Sequence, residues 1–191
     1  KLKTLVCLGS GGGFIPRIMS QARYDLSLEG YYKETKMETG DNGTTYVVDA
    51  MNGVNGKTDW EDKDSVLRKH FYPQFIKDTT ENAYYNFFVK QDIWFDLIHI
   101  DADHTFEGVK KDFELYSEKL MPGGIITIHD TDKSYIENRT EVDGQEWEDT
   151  SGPSKFIETI DEDKFEVINF FNHGIRKDFP SSTGLTIVRK K

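Results

Sequence analysis

The sequence predicts an α/β fold: a doubly wound, mostly parallel sheet of seven strands with helices on both faces. Three observations carry this. Short apolar runs alternate with helical patterns along the 191 residues, as expected of parallel strands joined by crossover helices. The first run leads directly into Gly9-Ser10-Gly11-Gly12-Gly13, a glycine loop between a strand and a helix. Two later strands end in ionisable clusters, Asp101-Ala102-Asp103-His104 and His129-Asp130-Thr131-Asp132. In open parallel sheets ligands sit at the carboxyl ends of the strands, so the loop and both clusters belong to one rim.

Each element follows from local pattern. Residues 2–8 form an apolar, β-branched run stopped by Gly9, which predicts a buried strand. Pro16 suits the first turn of a helix, and Ile15, Ile18, Met19 and Ala22 keep helical spacing to about Arg23. Residues 25–44 are polar, with Gly30, Gly40 and an Asp41-Asn42-Gly43 turn signal, and read as an insertion. The second strand is 44–48, ending in Asp49. A Gly/Asn/Asp-rich loop over 50–63, a short helix over 64–71 and a weak third strand over 74–77 follow. A helix is expected over 80–90 and the clearest buried strand over 93–100. Over 104–120, Phe106, Val109, Phe113, Tyr116 and Leu120 fall on one helical face. Pro122-Gly123-Gly124 reads as a turn into a strand over 125–128. The acidic, irregular stretch 131–151, with Tyr135, Arg139 and Trp147, lies where a lid over an acceptor belongs. A helix over 153–160 and strands over 164–171 and 186–189 complete the chain, read as a single domain over 1–191.

Composition narrows the function. A net charge of -10 leaves no basic stripe to neutralise phosphates, which argues against a nucleic-acid partner. No apolar run approaches the length of a membrane span, and no charged-then-apolar leader opens the chain. One cysteine, Cys7, excludes an internal disulfide framework and multi-cysteine metal sites, and makes a reducing, cytoplasmic setting the default. Lys1 in place of Met reads as a trimmed start with an N-terminal segment lost.

The candidate site residues follow from position. The glycine loop lets backbone approach a ligand, and the helix behind it offers free N–H donors. Its spacing is G-x-G-x-G, and Phe14 stands where a dinucleotide fold needs glycine, which disfavours a dinucleotide oxidoreductase. Asp49, at a strand end, can accept both hydroxyls of a ribose. Asp101, Asp103 and His104 crowd one strand exit, where repulsion and desolvation are costly unless used. If the next strand is a neighbour, His129 and Asp130 converge on Asp101. One imidazole with two carboxylates suits a divalent ion with open positions. His99 reads as a satisfied core histidine, since its strand is apolar on both faces. A metal-dependent hydrolase explains the His/Asp groups but leaves the glycine loop and Asp49 idle. A non-catalytic cofactor-binding domain is the other alternative.

With these residues in view, the stretch "FDLIHIDADHTFEGVKKDFELYSEKLMPGGIITIHDTD" (95–132) resembles the class I S-adenosylmethionine-dependent methyltransferases, in their small-molecule O-methyltransferase-like branch. The ending "GPSKFIETI…FEVINFF…GLTIVRKK" is similar to the same branch. The resemblance implies a Rossmann-like sheet with an antiparallel last strand. It implies S-adenosylmethionine as cofactor, with Gly9, Ser10, Gly11 and Gly13 at its methionine end, Asp49 at its ribose, Asp78 and Thr79 at its adenine, and Asp101 also among its binding residues. The acceptor it implies is a small molecule, methylated at a hydroxyl. In metal-dependent relatives the ligand positions match Asp101, His129 and Asp130, for an ion such as Mg2+. The base positions match His104 and Asp103, and His104 is preferred for its near-neutral ordinary pKa. Cys7 stands where members often carry an acid.

Overall fold

The computed structural model describes residues 3–28, 43–51, 64, 73–133, 151–171 and 183–191. Among these residues seven strands form one sheet in the order β3-β2-β1-β4-β5-β7-β6. They are β1 (Thr4–Leu8), β2 (Thr44–Val48), β3 (Gln74–Ile76), β4 (Phe95–Ile100), β5 (Leu120–His129), β6 (Phe165–Phe170) and β7 (Leu185–Lys190). Strands β1 to β5 pair in parallel, while β7 runs antiparallel to both β5 and β6. The fold class read from the sequence is the one observed, including the reversed last strand. Among the described residues no helix is long and apolar enough to cross a membrane.

The chain order changes direction beside β1: β2 and β3 lie on one side, β4 and β5 on the other. That switch opens a crevice above the carboxyl ends of β1 and β4. Register fixes what meets there. Leu8 pairs with Ile100, and Ile100 with Ile128. The residues following these three strands therefore emerge side by side.

Helix α1 (Phe14–Leu28) runs past the expected end at Arg23, so the expected insertion over 25–44 begins inside a helix. Of that insertion, 29–42 lie outside the described residues, as do nearly all of the loop and helix expected over 50–71 and most of the expected lid over 131–151. Helix α2 (Thr80–Ala83) continues into a wider π turn (Tyr84–Val89). Helix α3 (Phe106–Glu118) is capped by Thr105, whose Oγ1 accepts the Gly108 N–H at 3.0 Å. Helix α4 is Gly152–Ile157.

The expected turn at Pro122–Gly124 is instead a bulge within β5. Phe95 pairs with Leu120 and Leu97 with Ile125, so the register slips there. Gly123 takes up the irregularity at φ 74°, a conformation glycine adopts without a steric penalty.

One face of the sheet buries Val6, Leu8, Ile98, Ile100, Ile126, Ile128 and Val188 against α3 and the π turn. Phe88 stacks edge-on to Phe95 at 5.0 Å and to Tyr116 at 5.8 Å. Such aromatic pairs add about 1 kcal/mol each beyond the area they bury. The Tyr116 hydroxyl donates to Thr80 O at 2.8 Å, locking α3 to the start of α2. The opposite face seats Leu5 and Cys7 under Met19 of α1.

Candidate active site

Above the switch point lies a cavity of about 610 Å³, within the range of sites that enclose a small molecule. The glycine loop forms one wall. Gly9, Gly11 and Gly13 all have positive φ, and Gly13 N donates to Ser10 O at 2.7 Å to close the turn. Gly9 is required twice over, because a Cβ there would sit 2.0 Å from the carbonyl oxygen of Asp101. A Cβ on Gly11 would meet nothing within 4 Å.

Asp49 leaves β2 into this cavity and is held rigidly. Its Oδ2 accepts from Ser10 N at 2.9 Å and Ser10 Oγ at 2.7 Å, and its Oδ1 from Met51 N at 2.8 Å. Ser10 is buried and does not line the cavity, so it positions Asp49. Gly13 is likewise buried behind the loop. Gly9, Gly11, Asp49, Asp78, Thr79, Asp101, Asp103 and His104 do line the cavity. Cys7 is buried, and its thiol donates to Gly9 O at 3.0 Å; burial, with Asp101 and Asp49 nearby, raises its pKa well above the usual thiol value.

The wall beyond Asp49 comes from the loop after β3, the start of α2 and one face of α3. Asp78 Oδ1 accepts from Thr79 N at 2.8 Å and from Asn82 Nδ2 at 3.0 Å, while Thr79 Oγ1 caps α2 through Asn82 N. Gly108, Lys111 and Asp112 reach the cavity from α3, at the spacing of a single helical face.

At the rim, Asp101, His104, His129 and Asp130 form a compact group. His104 Nε2 lies 2.8 Å from Asp130 Oδ2 and 3.2 Å from Asp101 Oδ1. His129 Nδ1 stands 3.1 Å from Asp130 Oδ1 and 3.5 Å from Asp101 Oδ1, in ion-pair range. Thr183, just before β7, places its Oγ1 3.2 Å from His129 Nε2. Asp130 adopts φ 57°, a left-handed conformation that a short acid tolerates.

Electrostatics follow from the geometry. The hydrogen bonds to Asp101 and Asp130 raise the His104 pKa to about 10 against the opposing effect of burial. The same two carboxylates raise His129. Burial pushes Asp101 and Asp130 upward, but the facing imidazoles outweigh it and hold both below the ordinary carboxylate range. Two imidazolium and two carboxylate groups make a neutral quartet. His104 thus holds its proton in this arrangement, unlike the near-neutral base expected from the residue type alone.

Asp103 is engaged differently. Its Oδ1 accepts the Thr105 N–H at 2.9 Å, and a Cβ on Gly108 would clash with its carboxyl. His99 is buried as expected. Its Nδ1 pairs with Thr127 Oγ1 at 2.8 Å, but its Nε2 has no partner among the described residues. Burial lowers its pKa to about 4, so the ring is neutral.

The ligand atoms of Asp101, His104 and Asp130 all lie within 4.8 Å of one another. This trio differs from the expected Asp101, His129 and Asp130 by bringing His104 inward. Its mixed imidazole and carboxylate donors suit a borderline first-row divalent ion better than Mg2+, which prefers oxygen ligands.

The sequence reading missed Ser10 as the support of Asp49, the bridging place of His104, and Asp112. A signal for Asp112 was present: it falls three residues after Val109 and four before Tyr116, inside the apolar stripe of α3.

Residues 6–131 match the family model of a methyltransferase domain. No curated protein matches the sequence. An O-methyltransferase from Bacillus cereus in complex with SAH superposes with TM-score 0.66 at 14% identity, covering 100% of this chain and 74% of that one. An O-methyltransferase from Streptomyces achromogenes, involved in tomaymycin synthesis and in complex with SAM, gives 0.64 at 10% identity, with coverage of 100% and 74%. An rRNA methylase from Streptococcus thermophilus gives 0.58 at 14% identity, with coverage of 99% and 87%. The chain belongs to the methyltransferase domain family, and its sheet is that of the class I S-adenosylmethionine-dependent methyltransferases its sequence resembles.

Proposed function

We propose that this chain binds S-adenosylmethionine in the cavity and directs its methyl group to a hydroxyl of a small molecule. The observation that supports this most is the continuity of the cavity. It runs from the glycine loop past the clamped Asp49 to Asp101, Asp103 and His104. When bound, S-adenosylmethionine supplies a methyl group already activated on sulfonium. Gly9 and Gly11 let backbone approach its amino-acid end, and Asp49 accepts from the ribose. Asp78 and Thr79 flank the base.

The protein's main contribution is alignment, since an in-line displacement gains most from holding donor and acceptor in attack geometry. With S-adenosylmethionine bound, attack of the acceptor oxygen on the methyl carbon would break the carbon–sulfur bond and leave its electron pair on sulfur. The hydroxyl proton passes to His104 or Asp103. His104 accepts it only in the fraction of molecules where the ring has first released its own proton to solvent, against the hold of Asp101 and Asp130. A divalent ion held by Asp101, His104 and Asp130 would supply an alternative, lowering the pKa of a bound hydroxyl. The net charge of -10 supports a small acceptor over RNA, and a cytoplasmic setting fits the lone buried thiol.

Calorimetry with S-adenosylhomocysteine tests the cofactor assignment, with micromolar-range binding expected and its absence refuting it. Methyl transfer to a panel of phenols and sugars tests the reaction. His104→Ala should keep cofactor binding and lose turnover; unchanged turnover removes His104 as the base.

A further inference from the structure

The two histidines of the rim quartet are not held alike. His104 Nε2 makes a hydrogen bond with Asp130 Oδ2 at 2.8 Å. His129 Nδ1 is within ion-pair range of Asp130 and Asp101, at 3.1 and 3.5 Å, yet is aligned for a hydrogen bond with neither. Coulomb attraction has no preferred angle, so it keeps this ring close without fixing its tilt. A hydrogen bond is directional and does fix it. His129 has one on its other nitrogen, where Thr183 Oγ1 stands 3.2 Å from Nε2.

Register brings Thr183 to that place. Strand β7 runs antiparallel to β5 with Leu185 opposite His129, and two residues earlier the count reaches Thr183. The main chain is fastened there, because Asp132 N donates to Thr183 O at 2.9 Å. Gly184 permits the approach: its φ is 88°, and a Cβ would fall 2.3 Å from Asp132 N. The Thr183 hydroxyl is also hydrogen-bonded to the Asp130 carboxylate and helps hold it ionised. A carboxylate only accepts, so the hydroxyl hydrogen points to Asp130 and the oxygen accepts the His129 Nε2–H. One hydroxyl thus engages two members of the quartet, and one of these, Asp130, faces His104.

We propose that Thr183 is the positioning residue of the quartet, its hydroxyl aiming the His129 ring and, through Asp130, setting the seat of His104. Its part in turnover rests on the functional reading above; its hold on the ring does not. The sequence resemblance assigns residue 183 no role.

The test is nitrogen–proton correlation spectroscopy of the histidine rings at neutral pH, assigned with His104→Gln and His129→Gln. Wild type should show a His129 Nε2–H sheltered from exchange. Thr183→Val keeps the side chain's shape without its hydroxyl, so that signal should be lost and the His104 ring signals should shift. Thr183→Ser should restore both. Thr186→Val removes a different β7 hydroxyl, one that bonds Thr131 and Asn169, and should leave both in place. Unchanged ring signals in folded Thr183→Val overturn the proposal, and so does an equal loss in Thr186→Val, which would mean a general loosening of β7. Should Thr183→Val not fold, a wild-type His129 without a sheltered Nε2–H overturns it, and a sheltered one kept in Thr183→Ser supports it. On an acceptor that wild type methylates, Thr183→Val should lower kcat about tenfold, the worth of one hydrogen bond to a charged group, with S-adenosylhomocysteine affinity unchanged. An unchanged kcat overturns the part in turnover. If wild type methylates none of the phenols and sugars, the reaction reading fails by itself, and the ring signals still decide the hold of Thr183.

Discussion

Replacing Gly9 with alanine should damage this protein more than any other change in the glycine loop. At φ 79° an L-residue is strained, at about 1–2 kcal/mol. The larger effect is steric. The new Cβ would lie 2.0 Å from Asp101 O, 2.5 Å from Asp101 C and 2.8 Å from Ala102 Cα. All three are backbone atoms at the end of a central strand, so no side-chain rotation relieves the clash. Gly9 N donates to Val48 O, and Asp101 N to Leu8 O, at 2.9 Å each. Separating the ends of β1 and β4 therefore strains the Asp101–Leu8 bond, and moving Gly9 disturbs its bond to β2. A total near the severe end for single substitutions, about 4 kcal/mol, is expected. That lowers the melting temperature by roughly 8–16 °C for a chain of this size. Gly11→Ala is the control: its φ is also positive, but its Cβ enters open space, so strain alone, about 1–2 kcal/mol, applies. Urea unfolding of both variants measures the difference. A Gly9→Ala loss no larger than that of Gly11→Ala would refute the close approach of β1 and β4.

Three further outcomes follow. Ser10→Ala removes one of two Ser10 bonds to Asp49 Oδ2 and should weaken S-adenosylhomocysteine binding about tenfold with little loss of stability, as read by calorimetry; unaltered affinity would show that Asp49 needs no such brace. In chelator, the raised His104 and His129 stabilise the fold fully below their unfolded pKa near 6.5 and lose that contribution as pH climbs toward 10, whereas the depressed Asp101 and Asp130 lose theirs as pH falls below about 4. Melting temperature should thus decline from pH 6.5 to 10, and His104→Gln should flatten that decline; a wild-type profile already flat there would contradict the ion-pair geometry. If the Asp101, His104 and Asp130 trio takes a metal, Mn2+ or Zn2+ should raise the melting temperature more than Mg2+, by roughly 5–11 °C at a hundredfold excess over Kd. A larger response to Mg2+ would mean that the imidazole is not a ligand.

What was legible in the sequence was what strand polarity controls. Parallel strands end at one rim, so Gly9, Asp49, Asp101, His129 and Asp130 could be placed together from their positions at strand ends alone. Side-chain bridging was not legible. Nothing in spacing says that His104, three residues beyond Asp101, turns back to reach Asp130 on the next strand, nor that Ser10 folds its hydroxyl onto Asp49. The Pro122–Gly124 bulge was hidden because proline and glycine signal a turn, whereas here β4 and β5 already flank both ends of the irregularity and hold it within the sheet. Helix α1 was cut short because Asp25 and Ser27 interrupt the apolar spacing kept by Ile15, Ile18, Met19 and Ala22, although the backbone continues to Leu28.

The placement of β7 carries a consequence for assembly. It sits between β5 and β6, and among the described residues β6 has no other partner in the sheet. Segment 183–191 thus joins one flank of the molecule to the rest, while Thr183 reaches the imidazole of His129. Detaching that short segment would release β6 as well and unseat a histidine more than fifty positions upstream. Hydrogen exchange should accordingly find β6 and β7 opening as one unit, with the quartet loosening in step.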